Sequence, residues 1–267
     1  MKNLLSFLYL MLFLQAVHSE SYTRIVSLAP SLTKHIVLLS SEKNIVGCTN
    51  YCPIKSNTTV VANALNVNFE QILKLKPDII ITTDLTSPEI IAGLKKLKLN
   101  IRIFPLPSNF ELLCKEFIEV GTLVGHKKEA ESIVNKSKQD LVVFQQSIKT
   151  DKKPVVFIEI GAKPLFGAID NTFMADYIRY AGGLNALASI KNGAITRESV
   201  LKTNPDAIFI VTMGVLGDEE KNVWLAYKNM KASKNNSIFL IDPDMSCSPT
   251  PPDFVEITGQ MIKCIYK

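Results

Sequence analysis

Lys127–Ile148 contains neither glycine nor proline, and it lies near the middle of a chain of 267 residues. Within it Ala130, Ile133, Val134, Leu141, Phe144 and Ile148 recur at spacings of three, four or seven. That periodicity puts them on one stripe of a helix. At 3.6 residues per turn the segment makes about six turns. A flexible tether would be rich in Gly, Ser or Pro, so the pattern predicts a rigid helical connector over residues 127–149. It divides a first half, 20–126, from a second, 150–267. Two lobes also suit the length, because single cores stop growing near about 250–300 residues.

Both halves alternate short β-branched runs with helical patterns, which predicts α/β lobes with mostly parallel sheets flanked by helices. In the first half, strands are expected at Ile25–Leu28, Ile45–Cys48, Ile79–Thr82 and Ile101–Phe104. Helices are expected at Ser31–Leu39, Phe69–Leu75, Pro88–Leu97 and Glu111–Val124. In the second half the strands are Val155–Ile160, Ala207–Val211 and Ile238–Ile241. Its helices are Phe173–Tyr180, Glu198–Lys202, Glu219–Tyr227 and Asp253–Ile265.

The halves also repeat a local motif. Glu70 opens a short helical run closed by Pro77-Asp78 and an apolar strand, and Glu198 opens another closed by Pro205-Asp206. A glutamate near a helix start is favoured by the helix dipole, so one copy is unremarkable. Two copies in matched places point to a surface that meets a two-fold symmetric partner.

At the amino terminus, Lys2 precedes an apolar run from Leu4 to Leu14, with small residues near Val17 and Ser19. This fits a cleavable secretory signal over residues 1–19; the apolar run is too short for a span of about 20 residues. The mature chain is therefore expected in the periplasm. Net charge is +5, and no Lys/Arg run is interleaved with stacking aromatics, so nucleic acid is not an expected partner. The sequence holds no Gly-x-Ser-x-Gly elbow, P-loop or Gly-x-Gly-x-x-Gly turn, the motifs of common hydrolases and nucleotide binders. No enzyme activity is expected.

The order Arg24-Ile-Val-Ser-Leu-Ala-Pro30-Ser, Ile45-Val-Gly47, Asn68-Phe-Glu70 and Leu75-Lys-Pro77-Asp78 resembles the iron-chelate and vitamin B12 periplasmic binding proteins. Ala181-Gly182-Gly183-Leu-Asn185, Thr196-Arg197-Glu198 and Asn204-Pro205-Asp206 agree in the second half. The resemblance covers about residues 22 to 265. It implies two α/β lobes joined by one long rigid helix, with a ligand in the cleft between them. It implies a monomeric substrate-binding component of an ABC importer that hands its cargo to a membrane permease. It also implies that Glu70 and Glu198 dock into arginine pockets on that permease. By motif order Tyr51, Phe166 and Asp244 match cleft positions of the B12 binders. The tryptophans that sandwich the corrin ring in those proteins have no counterpart here, since Trp224 lies in a helical pattern elsewhere, and Lys34 stands where many relatives carry glutamate. The implied cargo is a metal chelate of the cobalamin, ferric siderophore or haem class, and no resident cofactor is required.

Five cysteines complete the reading. Cys114 and Cys264 share faces with core residues, the usual place of a small buried thiol. Cys48, Cys52 and Cys247 follow predicted strand ends, where ligands of α/β sheets gather. They are candidate soft-metal ligands, and Cys48 and Cys52 alternatively form a local disulfide. A competing function is an exported thiol-dependent redox protein, or a metal-binding enzyme, that uses Cys48 and Cys52.

Overall fold

The computed structural model describes residues 21–54, 58–63, 66–191, 195–211 and 217–266. The expected signal over residues 1–19 lies outside them. Strands β1 (Ile25–Ser27), β2 (Ile45–Thr49), β3 (Thr59–Ala62), β4 (Ile79–Thr83) and β5 (Ile101–Phe104) form a parallel sheet in the order β3-β2-β1-β4-β5. Helices α1 (Pro30–Leu38), α2 (Phe69–Leu75), α3 (Pro88–Lys96) and α4 (Phe110–Leu123) cover it. The central strands are apolar throughout because both faces are buried. Ile25, Ile79 and Ile81 join the core beneath α1 and α4, while Val26 and Ile80 pack with Ile72 of α2 and Leu94 of α3. That alternation is the two-residue period of a strand.

The second lobe is built on β6 (Val155–Ala162), β7 (Leu165–Gly167), β8 (Leu184–Asn185), β9 (Ala207–Ile210) and β10 (Ile238–Leu240). The order is β10-β9-β6-β7, with β8 beside the start of β6, and only the β6–β7 hairpin is antiparallel among the described pairs. Its helices are α6 (Phe173–Tyr180), α7 (Arg197–Thr203), α8 (Gly217–Leu225), α9 (Lys231–Lys234), α10 (Pro243–Cys247) and α11 (Pro251–Ile265). Two mostly parallel sheets flanked by helices agree with the fold class read from the sequence. Elements the sequence reading omitted are β3, β7, β8, α9 and α10. Each has five residues or fewer, too few to show a period.

The connector is α5 (Lys127–Gln146), with Ala130, Val134, Ser137 and Leu141 as its buried face. It is not a strut between separate bodies. It packs along α4 on one side and α11 on the other, and glycine makes both approaches possible. A Cβ placed on Gly121 of α4 would lie 2.5 Å from the Ala130 Cβ. One placed on Gly259 of α11 would lie 2.6 Å from the Phe144 ring.

The lobes meet directly across an aromatic seam. Phe110, at the start of α4, stacks on Phe254 of α11 at 4.6 Å between centroids, and Tyr177 of α6 stacks on Phe254 at 4.3 Å. The Phe110 backbone N–H donates to the buried Asp176 carboxylate at 2.8 Å, and Arg179 holds that carboxylate at 2.8 Å. Lys34 of α1 reaches across to Asp253 at 3.0 Å and to the Asp244 carbonyl at 2.9 Å. One continuous hydrophobic core therefore runs from Ile25 to Ile262 through both lobes.

Gly121→Ala should cost about 1–3 kcal/mol of stability by overpacking, because Ala130 is too short to yield. This should outweigh the ~0.5–1 kcal/mol that alanine gains in a helix. Gly259→Ala should cost less, because the half-buried Phe144 ring can swing away. Urea unfolding midpoints of the two variants test the contrast.

Candidate functional site

In a parallel α/β sheet the carboxyl ends of all strands fall on one edge, and ligands gather there. Every strand of the first sheet contributes to a cavity of 610 Å³ at that edge: Leu28 after β1, Thr49 of β2, Ala62 of β3, Thr83 of β4 and Leu106 after β5. Phe173 of α6 and the Cys247–Pro249 turn form the wall from the second lobe. The cavity thus lies between the lobes.

Its chemistry is mostly apolar with hydroxyls. Ser31, Thr83, Thr86 and Ser87 line it, and the Thr82 and Thr86 hydroxyls are 2.5 Å apart. No lysine or arginine is among the described residues of its wall, and Glu116 is its one carboxyl group. Glu116 belongs to α4 and is only 7% exposed. Its Oε1 lies 3.7 Å from Nδ1 of the buried His35, and its Oε2 has no hydrogen-bond partner. Burial, helped by the Glu119 and Asp84 carboxylates, raises the Glu116 carboxyl to about 8. Burial likewise lowers His35 to about 4, against the pull of the Pro249 carbonyl. Both side chains are therefore uncharged near neutral pH, and no ion pair holds them despite their proximity.

Of the cleft residues expected from the sequence, Tyr51 lines the cavity and is 60% exposed. Phe166 and Asp244 do not line it. Phe166 sits on β7 opposite Gly161, at the carboxyl end of β6, and is 40% exposed. Asp244 is exposed in the first turn of α10, where Asp242 caps its backbone N–H at 2.8 Å. Trp224 is buried in the second lobe, its indole N–H donating to Glu159 at 2.5 Å, so it does not serve the cleft.

The expected cysteine trio is not assembled as a metal set. Among the described residues no three His, Cys, Asp or Glu side chains gather closely enough to hold a metal ion. Cys48 and Cys52 meet by a hydrogen bond and are free thiols. Cys247 ends α10 on the opposite lobe and lines the cavity wall by itself. The physical reason lies in orientation. The Cys52 sulfur turns back toward Thr33 and Thr49 under the first sheet's edge, at 3.1 and 3.3 Å.

The doubled motif is doubled in three dimensions. Asn68 caps α2 and Thr196 caps α7 through side-chain oxygens that accept from the third residue on. Both helices end in the left-handed region, Lys76 at φ 47° and Asn204 at φ 46°. Asp78 then accepts from the Arg24 N–H ahead of β1, and Asp206 accepts from the Val155 N–H that starts β6, both at 2.9 Å. Each copy leaves its glutamate in solvent. Glu70 is 79% exposed with Lys74 beside it, and Glu198 is exposed.

Comparison with known proteins decides the family. The sequence profile of the periplasmic binding protein family matches residues 25–245. The chain belongs to that family. It is 28% identical over 255 residues to the uncharacterized ABC transporter substrate-binding lipoprotein YvrC of Bacillus subtilis, covering 91% of this chain and 80% of the relative. A vitamin B12-binding protein of Photorhabdus laumondii is 26% identical over 213 residues, 76% of this chain and 77% of that one. The periplasmic haem-binding protein HutB of Vibrio cholerae superposes with a TM-score of 0.80 at 18% identity, over 92% of this chain and 99% of that one. The relatives are periplasmic or lipoprotein binding components, and the names they carry are those of binding proteins.

Sequence reasoning missed Glu116. Its signal was present: a carboxyl group inside the apolar stripe Leu113, Phe117 and Val120 of one helix. Because the fold keeps Glu116 protonated, the native chain holds a proton that the unfolded chain releases between pH 4.5 and about 8. Its contribution to stability therefore falls as pH rises through that window. Glu116→Gln should match the native chain near about pH 5 and exceed it by about 3–5 kcal/mol near about pH 9. Denaturant midpoints at the two pH values check this.

Proposed function

We propose that this chain is the substrate-binding component of an ABC importer, capturing a metal chelate in the interlobe cavity and delivering it to a membrane permease. The observation that carries the reading is the cavity itself, set at the carboxyl edge of all five first-lobe strands and closed by the second lobe. Membership of the periplasmic binding protein family supports it. The protein acts by binding and release, with no covalent step on the cargo, as a monomer in the periplasm after removal of residues 1–19.

Wall chemistry narrows the cargo. Carboxylate-bearing chelates such as haem need cationic partners when desolvated, and the described wall offers none. Hydroxyls, apolar surface and a neutral Glu116 suit a chelate whose periphery carries amides or hydroxyls, as a corrinoid does. Tyr51 contacts it from the first lobe, whereas Phe166 and Asp244 of the second lobe lie off the cavity wall and would meet only a part of the cargo that projects beyond it. A soft bare metal is the less favoured cargo, because the three thiols do not converge. Glu70 and Glu198 are the docking residues: they hold equivalent places in the two lobes and both are exposed, with Lys74 beside Glu70.

The test uses cyanocobalamin as probe. The purified chain should bind it, and cells dependent on this chain should import it. The double reversal Glu70→Lys/Glu198→Lys should cut uptake at least ~10-fold, the size of losing about 1.4 kcal/mol of docking energy, while leaving affinity for the probe unchanged. Unchanged uptake would remove the docking role. Absence of binding to the unaltered chain would remove the corrinoid assignment.

A further inference from the structure

Delivery of cargo leaves one constellation unexplained, the paired thiols at the end of β2. Cys48 is inside the strand and 4% exposed, whereas Cys52 is half-buried at the close of the turn that follows. That turn is fixed by the Cys52 N–H donating to the Thr49 carbonyl at 3.2 Å. Around the Cys52 sulfur stand the Thr33 hydroxyl at 3.1 Å, the Thr49 hydroxyl at 3.3 Å and the Cys48 thiol. Thr33 comes from α1, Thr49 and Cys48 from β2, so three elements of the lobe, counting the Cys52 turn, converge on one sulfur. A structural cysteine sits among apolar atoms. This one also meets two hydroxyls and a second thiol, with the Ser27 carbonyl of β1 at 3.9 Å as its one backbone acceptor among the described contacts.

We propose that Cys48 and Cys52 form a redox-active dithiol that exchanges with an external disulfide, Cys52 being the attacking sulfur and Cys48 the resolving one. The donors stabilise a thiolate. Hydrogen bonds from Cys48, Thr33 and Thr49 outweigh burial and hold the Cys52 thiol below the ordinary thiol range, while the same contact and burial push Cys48 up. The groups facing the sulfur from α1 and β2 are otherwise neutral hydroxyls, so Cys48 is the titratable neighbour.

The exchange balances in two steps. The Cys52 thiolate attacks one sulfur of the external disulfide, forming a mixed disulfide and expelling one external thiolate. Cys48 gives its proton to that leaving thiolate, then attacks the Cys52 sulfur and expels the second external thiolate, which takes a proton from water. Two protein thiols are oxidised and one external disulfide is reduced to two thiols. The product ties β2 to the turn that carries Tyr51, so oxidation fixes one wall of the cavity. Burial raises Cys114 to about 12, and it raises Cys247 in spite of a hydrogen bond from Ser246, so both stay reduced.

Glutathione disulfide is the probe, applied to the purified full chain. Peptide mapping should show a Cys48–Cys52 link formed with loss of two hydrogens, and Cys114, Cys247 and Cys264 unmodified. In Cys48→Ser, the glutathione adduct should be trapped on Cys52. In Cys52→Ser, no adduct should form on buried Cys48. Alkylation of Cys52 in the native chain, followed by mass spectrometry against pH, should have its midpoint well below that of an ordinary thiol. First modification at Cys247 or Cys264, a native chain with no Cys48–Cys52 link, or an ordinary-thiol midpoint for Cys52 would each overturn the proposal.

Discussion

The stacked seam of Phe110, Phe254 and Tyr177 sets the geometry of everything else. These rings belong to α4, α11 and α6, so they bind first lobe to second without using the connector. Aromatic pairs are worth about 0.5–1.5 kcal/mol each beyond the area they bury. The Asp176 carboxylate accepting from the Phe110 N–H adds a directional bond that tolerates little sliding. With α5 wedged between α4 and α11, the lobes share one core, and the cavity between them is a fixed space. A pre-formed site spends little free energy on ordering itself when a ligand arrives.

That rigidity explains why a carboxyl group can remain buried and uncharged in the cavity wall. Glu116 and His35 are buried, and burial disfavours the charged form of each. A wall with hydroxyls and a neutral carboxyl favours hydrogen-bonding ligands over anionic ones. Lys34 is a cation that spans this joint. It is spent on Asp253 and the Asp244 carbonyl, holding the lobes together.

Much of the fold was legible because its periodicities are long. The connector stripe, the central strands and Phe173–Tyr180 all stand close to where the pattern put them. The doubled motif was legible for a different reason: a capping residue, a Pro stop and an Asp that pins the next strand recur in the same order. Short elements were not legible, since β3 and β7 owe their conformation to pairing with β2 and β6 rather than to their own residues. The site was legible only in part. The family resemblance pointed to Tyr51 and strand-end logic to Cys247, and both line the cavity wall, but neither could tell that Cys52 turns inward to Thr33. Glu116 escaped because one polar residue on an apolar stripe looks like noise until its lack of a partner is known.

The central claim is that the two lobes move as one body around a fixed cavity. Small-angle X-ray scattering of the purified chain, alone and saturated with cyanocobalamin, tests it most directly. Superimposable profiles are expected, because the aromatic seam and a connector without proline or glycine leave no hinge. A marked compaction on binding would contradict the account.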